Sequence, residues 1–209
     1  MNSIRYDVKI FVQETSAVEP AEYIPVFHRW IQEQRLPELL IDVADYRHVP
    51  DGPGVVLVAH DAQYAMDAAE GRQGLLYSRR RETHPSRTAI EGTEARLRSV
   101  LHDALTACQE LETEPALQGR LRFRGDELVL WCNDRLVPDT DETYAALAQH
   151  VQACVATLYP GQSVEVSRAS DRAGRAGVVV RAAGAPGVET LLARLGGAGV
   201  TRSNGVQHE

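Results

Sequence analysis

Two groups of side chains in this chain could do chemistry. The first gathers carboxylates, imidazoles and phenols around one stretch: Asp42, His48, His60, Asp61 and Asp67, with Tyr46 and Tyr64. The second is cationic. Arg120, Arg122 and Arg124 alternate along a strand-like segment with Trp131 just beyond, and Arg79, Arg80 and Arg81 end another. The first set could bind a divalent metal through His and carboxylate ligands, or serve as a general acid–base pair. In the second, arginines two apart on a strand point the same way, about 7 Å apart. That spacing suits successive phosphates or carboxylates, with an aromatic beside them for stacking.

Reading the strands narrows the first set. Leu39–Tyr46 and Gly54–His60 read as hairpin partners around the turn His48–Gly54, where Pro fixes φ and Gly accepts positive φ. His48 then lies near the turn and His60 at the far end, about 20 Å away at ~3.3 Å per residue. One metal cannot hold both. Asp42, His60 and Asp61 remain as the alternative metal set, with Tyr64 beside them. The plainer account is a polar loop whose acids cap turns, since no HxH, HExxH or CxxC spacing is present. The plainer account of the arginine stripe is a solvated sheet face whose arginine stems cover apolar surface.

The elements that must position these residues follow from periodicity. Tyr6–Val12 alternates as a strand, with Val8, Ile10 and Val12 on one face and Asp7, Lys9 and Phe11 on the other. Pro20–Arg35 reads as an amphipathic helix on Ile24, Phe27 and Ile31, with Pro25 kinking it or delaying its start. Gly74–Arg80 reads as a strand. The acidic, Ala-rich stretch Asp61–Gln73 reads as a loop or a helical turn, and Glu82–Gly92 as a linker. From Thr93 a long helix carries the stripe Leu97, Leu101, Ala104, Cys108 and Leu111. Gly119–Asn133 reads as a hairpin turning at Gly125-Asp126, which pairs Phe123 with Leu128 and Leu121 with Leu130. Asp139 and Glu142 suggest a capping box for a helix buried through Leu147, Val151, Cys154 and Leu158. Short strands at Ser163–Arg168 and Val178–Arg181 flank a Gly/Arg/Ala loop that includes Gly174–Gly177, and Val188–Leu195 reads as a final helix.

The expected fold class is α+β: a mixed or mainly antiparallel sheet, or two, with amphipathic helices packed on one face. Two similar halves are expected at 1–115 and 116–195, followed by a flexible tail at 196–209.

The composition bounds function. The 209 residues carry a net charge of −7. That field repels phosphate and argues against general nucleic-acid or membrane binding. Of 22 basic residues Lys9 alone is lysine, a bias that a GC-rich, bacterial-looking genome would also produce. Cys108, Cys132 and Cys154 fall at apolar positions, as reduced core thiols do. The polar N-terminus lacks a signal-peptide core, so a cytoplasmic protein is expected. No nucleophile elbow or phosphate-cradling glycine loop is present. The leading expectation is a binding or accessory protein without a cofactor. It would engage an anionic small molecule or a protein partner through Arg120, Arg122, Arg124, Trp131, Arg79 and Arg80. The alternative is a small metal-assisted hydrolase or lyase centred on Asp42, His60 and Asp61. A homo-oligomer is also compatible with the long amphipathic helix.

Overall fold

The structure, a computed structural model, describes residues 5–80, 92–134, 136–169 and 174–197. Arg81, nearly all of the linker expected from Glu82 to Gly92, and the tail past Gly197 lie outside the described residues.

Eight strands form one antiparallel sheet: β1 (Tyr6–Val12), β2 (Leu40–Tyr46), β3 (Gly54–Ala59), β4 (Ala62–Asp67), β5 (Gly74–Arg79), β6 (Phe123–Cys132), β7 (Val164–Arg168) and β8 (Gly177–Ala182). Their order is β2-β3-β4-β5-β1-β6-β8-β7. Four helices accompany them among the described residues: α1 (Tyr23–Glu33), α2 (Thr93–Glu112), α3 (Asp141–Leu158) and α4 (Val188–Gly197). The fold class is therefore α+β, and the two stretches expected as halves share a single sheet through the β1–β6 pairing.

Period-two alternation decides which side is covered. Tyr6, Val8 and Ile10 of β1 join Val55 and Leu57 of β3, Tyr64 and Met66 of β4, Leu75 and Tyr77 of β5, and Val178 and Val180 of β8 in the main core. All four helices bury their apolar stripes in that same core. The α2 stripe is buried as its spacing predicts, as are all three cysteines, each a free thiol. Helix α1 starts late, after a 3-10 turn at Pro20–Glu22, so that Pro25 falls in its first turn, where no N–H partner is lost. Its buried side is Tyr23, Val26, Phe27 and Trp30, rotated slightly from the Ile24–Phe27–Ile31 stripe expected. The indole of Trp30 donates to Glu114 Oε2 at 2.9 Å, tying α1 to the turn after α2.

Three expectations are corrected. Gly119–Asn133 is no hairpin: residues 123–132 run as one strand between β1 and β8. Phe123 and Leu128 therefore lie along the same strand and do not face each other across it. The turn signal at Gly125-Asp126 is spent on a register shift instead, since Ile10 pairs with Leu128 but Val12 pairs with Phe123. Gly125 has a different duty: a Cβ there would stand 1.6 Å from the carbonyl oxygen of Pro186. Second, of the stretch Asp61–Gln73, expected as a loop or a helical turn, Ala62–Asp67 is a strand pairing with β3 and β5, and only Ala69–Gly71 makes a helical turn, of 3-10 type. Third, the N-cap of α3 is Thr140, whose hydroxyl accepts from the Thr143 N–H at 3.2 Å, one residue later than the capping box expected. The β2–β3 hairpin and its turn are as expected, with Tyr46 opposite Gly54 and Leu40 opposite Ala59.

Replacing Gly125 with Ala forces the backbone of residues 184–187 away from β6. We expect Gly125→Ala to cost about 2–3 kcal/mol, the usual range for overpacking a tight contact, measured as a shift in the urea midpoint at unchanged m-value.

Candidate functional site

With the helices on one side, the other side of the sheet carries the opposite parity of each strand. On β1 that set is Asp7, Lys9 and Phe11, all buried although, among the described residues, the four α-helices pack in the core on the opposite side. The register places their neighbours. Lys9 stands between Leu76 of β5 and Val129 of β6, with Val179 of β8 next in the row. Asp7 stands between Ser78 and Trp131, and Glu127 pairs across β6–β8 with Arg181. Phe11, Val129 and Ala169 form a small apolar cluster of their own, with Trp131 and Val179 packed against it. A cleft of about 430 Å³ opens over this floor.

Charge on this face is organised in three groups. Lys9 Nζ is ion-paired with Asp67 at the end of β4. Asp7 accepts from Arg175 at 2.7 Å and from Asn133 Nδ2 at 3.0 Å. Glu127 is gripped bidentately by Arg72 at 3.1 and 2.6 Å, and is approached by Arg181 at 3.1 Å and Arg124 at 3.3 Å. The Arg72 guanidinium also lies 3.7 Å above the Phe11 ring centroid, and that of Arg175 lies 5.3 Å from Trp131. Such stacking holds a planar cation by its face, and its hydrogen bonds are made along its edge. Burial works against the charge on Glu127, but the hydrogen bond from Arg72 and the charges of Arg72, Arg181 and Arg124 outweigh it and hold its pKa below the ordinary value. At Asp7 burial wins: its pKa is raised, with Arg175 the chief opposing influence.

The expected site residues are dispersed. Trp131 lines the cleft, whereas Arg124 is outside its lining, approaching Glu127 at 3.3 Å and held by Asp126 at 2.8 and 3.0 Å. Arg120 turns away to Glu22 and the carbonyl of Ala17, and Arg122 donates to the carbonyls of Glu112 and Leu121. Once β6 is a single strand, the three arginines no longer form a row facing Trp131 across a hairpin. Arg79 points to the helix side, buried against Asp103 and donating to Ser99 Oγ at 3.0 Å. There it joins a polar network in which Tyr77 Oη lies 3.2 Å from Glu38 and 3.1 Å from Asp103, and Tyr64 donates to Glu38. Burial first, and the neighbouring carboxylates with it, push both tyrosines well above their ordinary pKa. Arg80 is exposed, its backbone N–H donating to the Asp61 carbonyl at 2.7 Å.

The alternative metal set does not assemble. No group of three His, Cys, Asp or Glu among the described residues could hold a metal ion. Asp42 is exposed on the edge strand and accepts from the Val43 N–H, while His60 Nδ1 and Asp61 Oδ1 form an isolated contact at 2.8 Å.

Sequence reasoning missed Arg72, Arg175 and Arg181. Arg72 and Arg175 lie in stretches that read as loop, and Arg181 ends a short strand beside one. The available signal was the charged parity of β1: two opposite charges on an inner strand require partners from elsewhere.

Arg175→Ala leaves the buried Asp7 carboxylate with the neutral donors Asn133 and Ser78, so its already raised pKa should rise further. Because the folded state then binds that proton more tightly, the stability lost at neutral pH, about 3 kcal/mol, should shrink as pH falls through the raised folded value. Carboxyl NMR titration and urea unfolding at successive pH values measure both effects.

No helix among the described residues is long and apolar enough to cross a membrane. Comparison with protein-family models, with curated proteins and with solved structures finds no match, so the assignment of function rests on the residues of the cleft.

Proposed function

We propose that this chain is a cytoplasmic binding protein that takes an anionic ligand, or an acidic group of a protein partner, in the arginine-rich cleft on the helix-free side of its sheet. The observation that carries the reading is the placement of Arg72, Arg175 and Arg181 around the floor formed by Phe11, Val129 and Trp131. A ligand with a flat apolar body would cover the floor and present its carboxylate or phosphate to the guanidinium edges. Pockets of this kind, apolar with a few convergent polar groups, are where small molecules bind.

The local balance of donors supports an anion. Around Glu127 three guanidinium groups, from Arg72, Arg124 and Arg181, share two carboxylates, Glu127 and Asp126. Each guanidinium carries five N–H donors, more than two carboxylates can satisfy. Arg181 and Arg72 line the cleft with side chains 51% and 42% exposed, so both remain within reach of a ligand entering it. The overall charge of −7 selects for a small anion that reaches this local patch rather than a long polyanion. The three buried free thiols suit a reducing compartment.

Terephthalate, a flat ring with two carboxylates, is a suitable probe. Calorimetric titration should show binding that weakens with added salt. Arg181→Ala should weaken it at least tenfold, about 1.4 kcal/mol. Arg122→Ala, which alters an arginine outside the cleft, should leave it unchanged. Binding insensitive to both salt and Arg181→Ala removes the proposal.

A further inference from the structure

Among the described residues, every cationic contact on the helix-free face is made by arginine except one. Lys9 is the sole lysine among 22 basic residues, and it sits on the inner strand β1, 5% exposed, in the lining of the cleft. Its stem has a built path. It crosses β5 at Gly74, where a Cβ would stand 3.1 Å from Lys9 Cε and 2.6 Å from the Ile10 carbonyl oxygen. Beyond Gly74 its Nζ meets Asp67, whose Oδ1 also accepts the Ala69 N–H at 2.9 Å. The ammonium lies 5.5 Å from the Phe11 ring centroid, and the Arg72 guanidinium lies 3.7 Å from the same centroid. The two cationic heads therefore stand no further apart than the sum of those distances.

An ion pair with Asp67 does not by itself call for lysine. Arg72, Arg175 and Arg181 make such pairs on the same face. What distinguishes lysine is that its amine can shed a proton and form a covalent bond, which a guanidinium does not do at neutral pH.

We propose that Lys9 forms a Schiff base with the carbonyl of an aldehyde- or keto-bearing anion whose acidic group is held by the neighbouring arginines. This rests on the reading of the cleft as an anion site and narrows its ligand class. Asp67 takes a proton from the Lys9 ammonium, and the freed Nζ pair attacks the carbonyl carbon. The C=O π pair moves to oxygen, which receives that proton from Asp67. A second proton from nitrogen, passed by the same carboxylate, lets the hydroxyl leave as water when the C=N bond forms. Ammonium and carbonyl thus become iminium and water, with no redox change. The iminium keeps the positive charge beside Asp67, so the buried carboxylate never loses its counter-ion.

The test uses 4-formylbenzoate with cyanoborohydride, followed by peptide mapping by mass spectrometry, which separates Lys9 from any N-terminal amine. The expected result is a reduced adduct on Lys9 formed at least tenfold faster than on an N-acetylated peptide spanning residues 5–12. Terephthalate and Arg181→Ala should each slow it at least fivefold. Labelling no faster than in the peptide, or indifferent to terephthalate, overturns the proposal. If terephthalate binds in calorimetry while no adduct forms, the carbonyl chemistry fails and the anion site stands; if neither is seen, both fall.

Discussion

Two opposite charges, Asp7 and Lys9, two residues apart on an inner strand, are the constraint on which the helix-free face depends. Their parity is fixed by Tyr6, Val8 and Ile10, which must face the helices to complete the core. A one-residue slip would put the charges among leucines and the apolar residues outside. Once the strand is seated, Asp7 and Lys9 are held near the sheet surface and need partners from neighbouring elements. The chain supplies them from β4 (Asp67) and from the segment before β8 (Arg175). Of these partners, Lys9, Asp67 and Arg175 line the cleft.

Stability alone is a poor account of such pairs. Replacing a buried ion pair with apolar side chains of similar volume is often neutral, or stabilising by about 1–4 kcal/mol. Valine and leucine at these positions would also have produced a large bare apolar face, inviting association. The observed compromise is an apolar floor, Phe11, Val129 and Val179, edged by ion pairs whose arginine members remain partly exposed. That arrangement keeps the face wettable while holding guanidinium groups in fixed directions, which is what recognition of an anion requires.

How much of this was legible in the sequence depends on whether the deciding contact is local. Strand β1 and helix α2 were, because periods of two and of 3.6 report burial directly. The β2–β3 hairpin was, because Pro and Gly fix its turn within a single short stretch. The segment Gly119–Asn133 was not. Gly-Asp between alternating runs is a sound local signal for reversal, and it was overridden by pairing with distant strands, β1 on one side and β8 on the other. Ala62–Asp67 hid for a different reason: Ala62, Tyr64 and Met66 do alternate inward with Gln63, Ala65 and Asp67, but alanine is depleted in strands and weakens the pattern. The candidate site was least legible. Its arginines come from the β4–β5 connection, the stretch before β8 and β8 itself, and only the sheet order brings them beside Phe11 and Trp131.

The same topology explains why the arginines read from sequence divide as they do. Arginines at alternate positions share a side only while the strand is regular, and Arg120 and Arg122 precede the first residue of β6. There the backbone is bonded to the segment after β1, through Gln13, Ser16 and Ala17, and the side chains meet separate acceptors: Glu22 for Arg120, and the carbonyl ending α2 for Arg122. Arg79 has the parity of Tyr77 and is drawn inside to Asp103. Arg181 has the parity of Val179, so it emerges beside Glu127 on the open side. For a chain in which nearly every cation is arginine, abundance says little about binding. The strand parity of each arginine, set by the apolar residues next to it, decides whether it serves the core or emerges on the open side of the sheet.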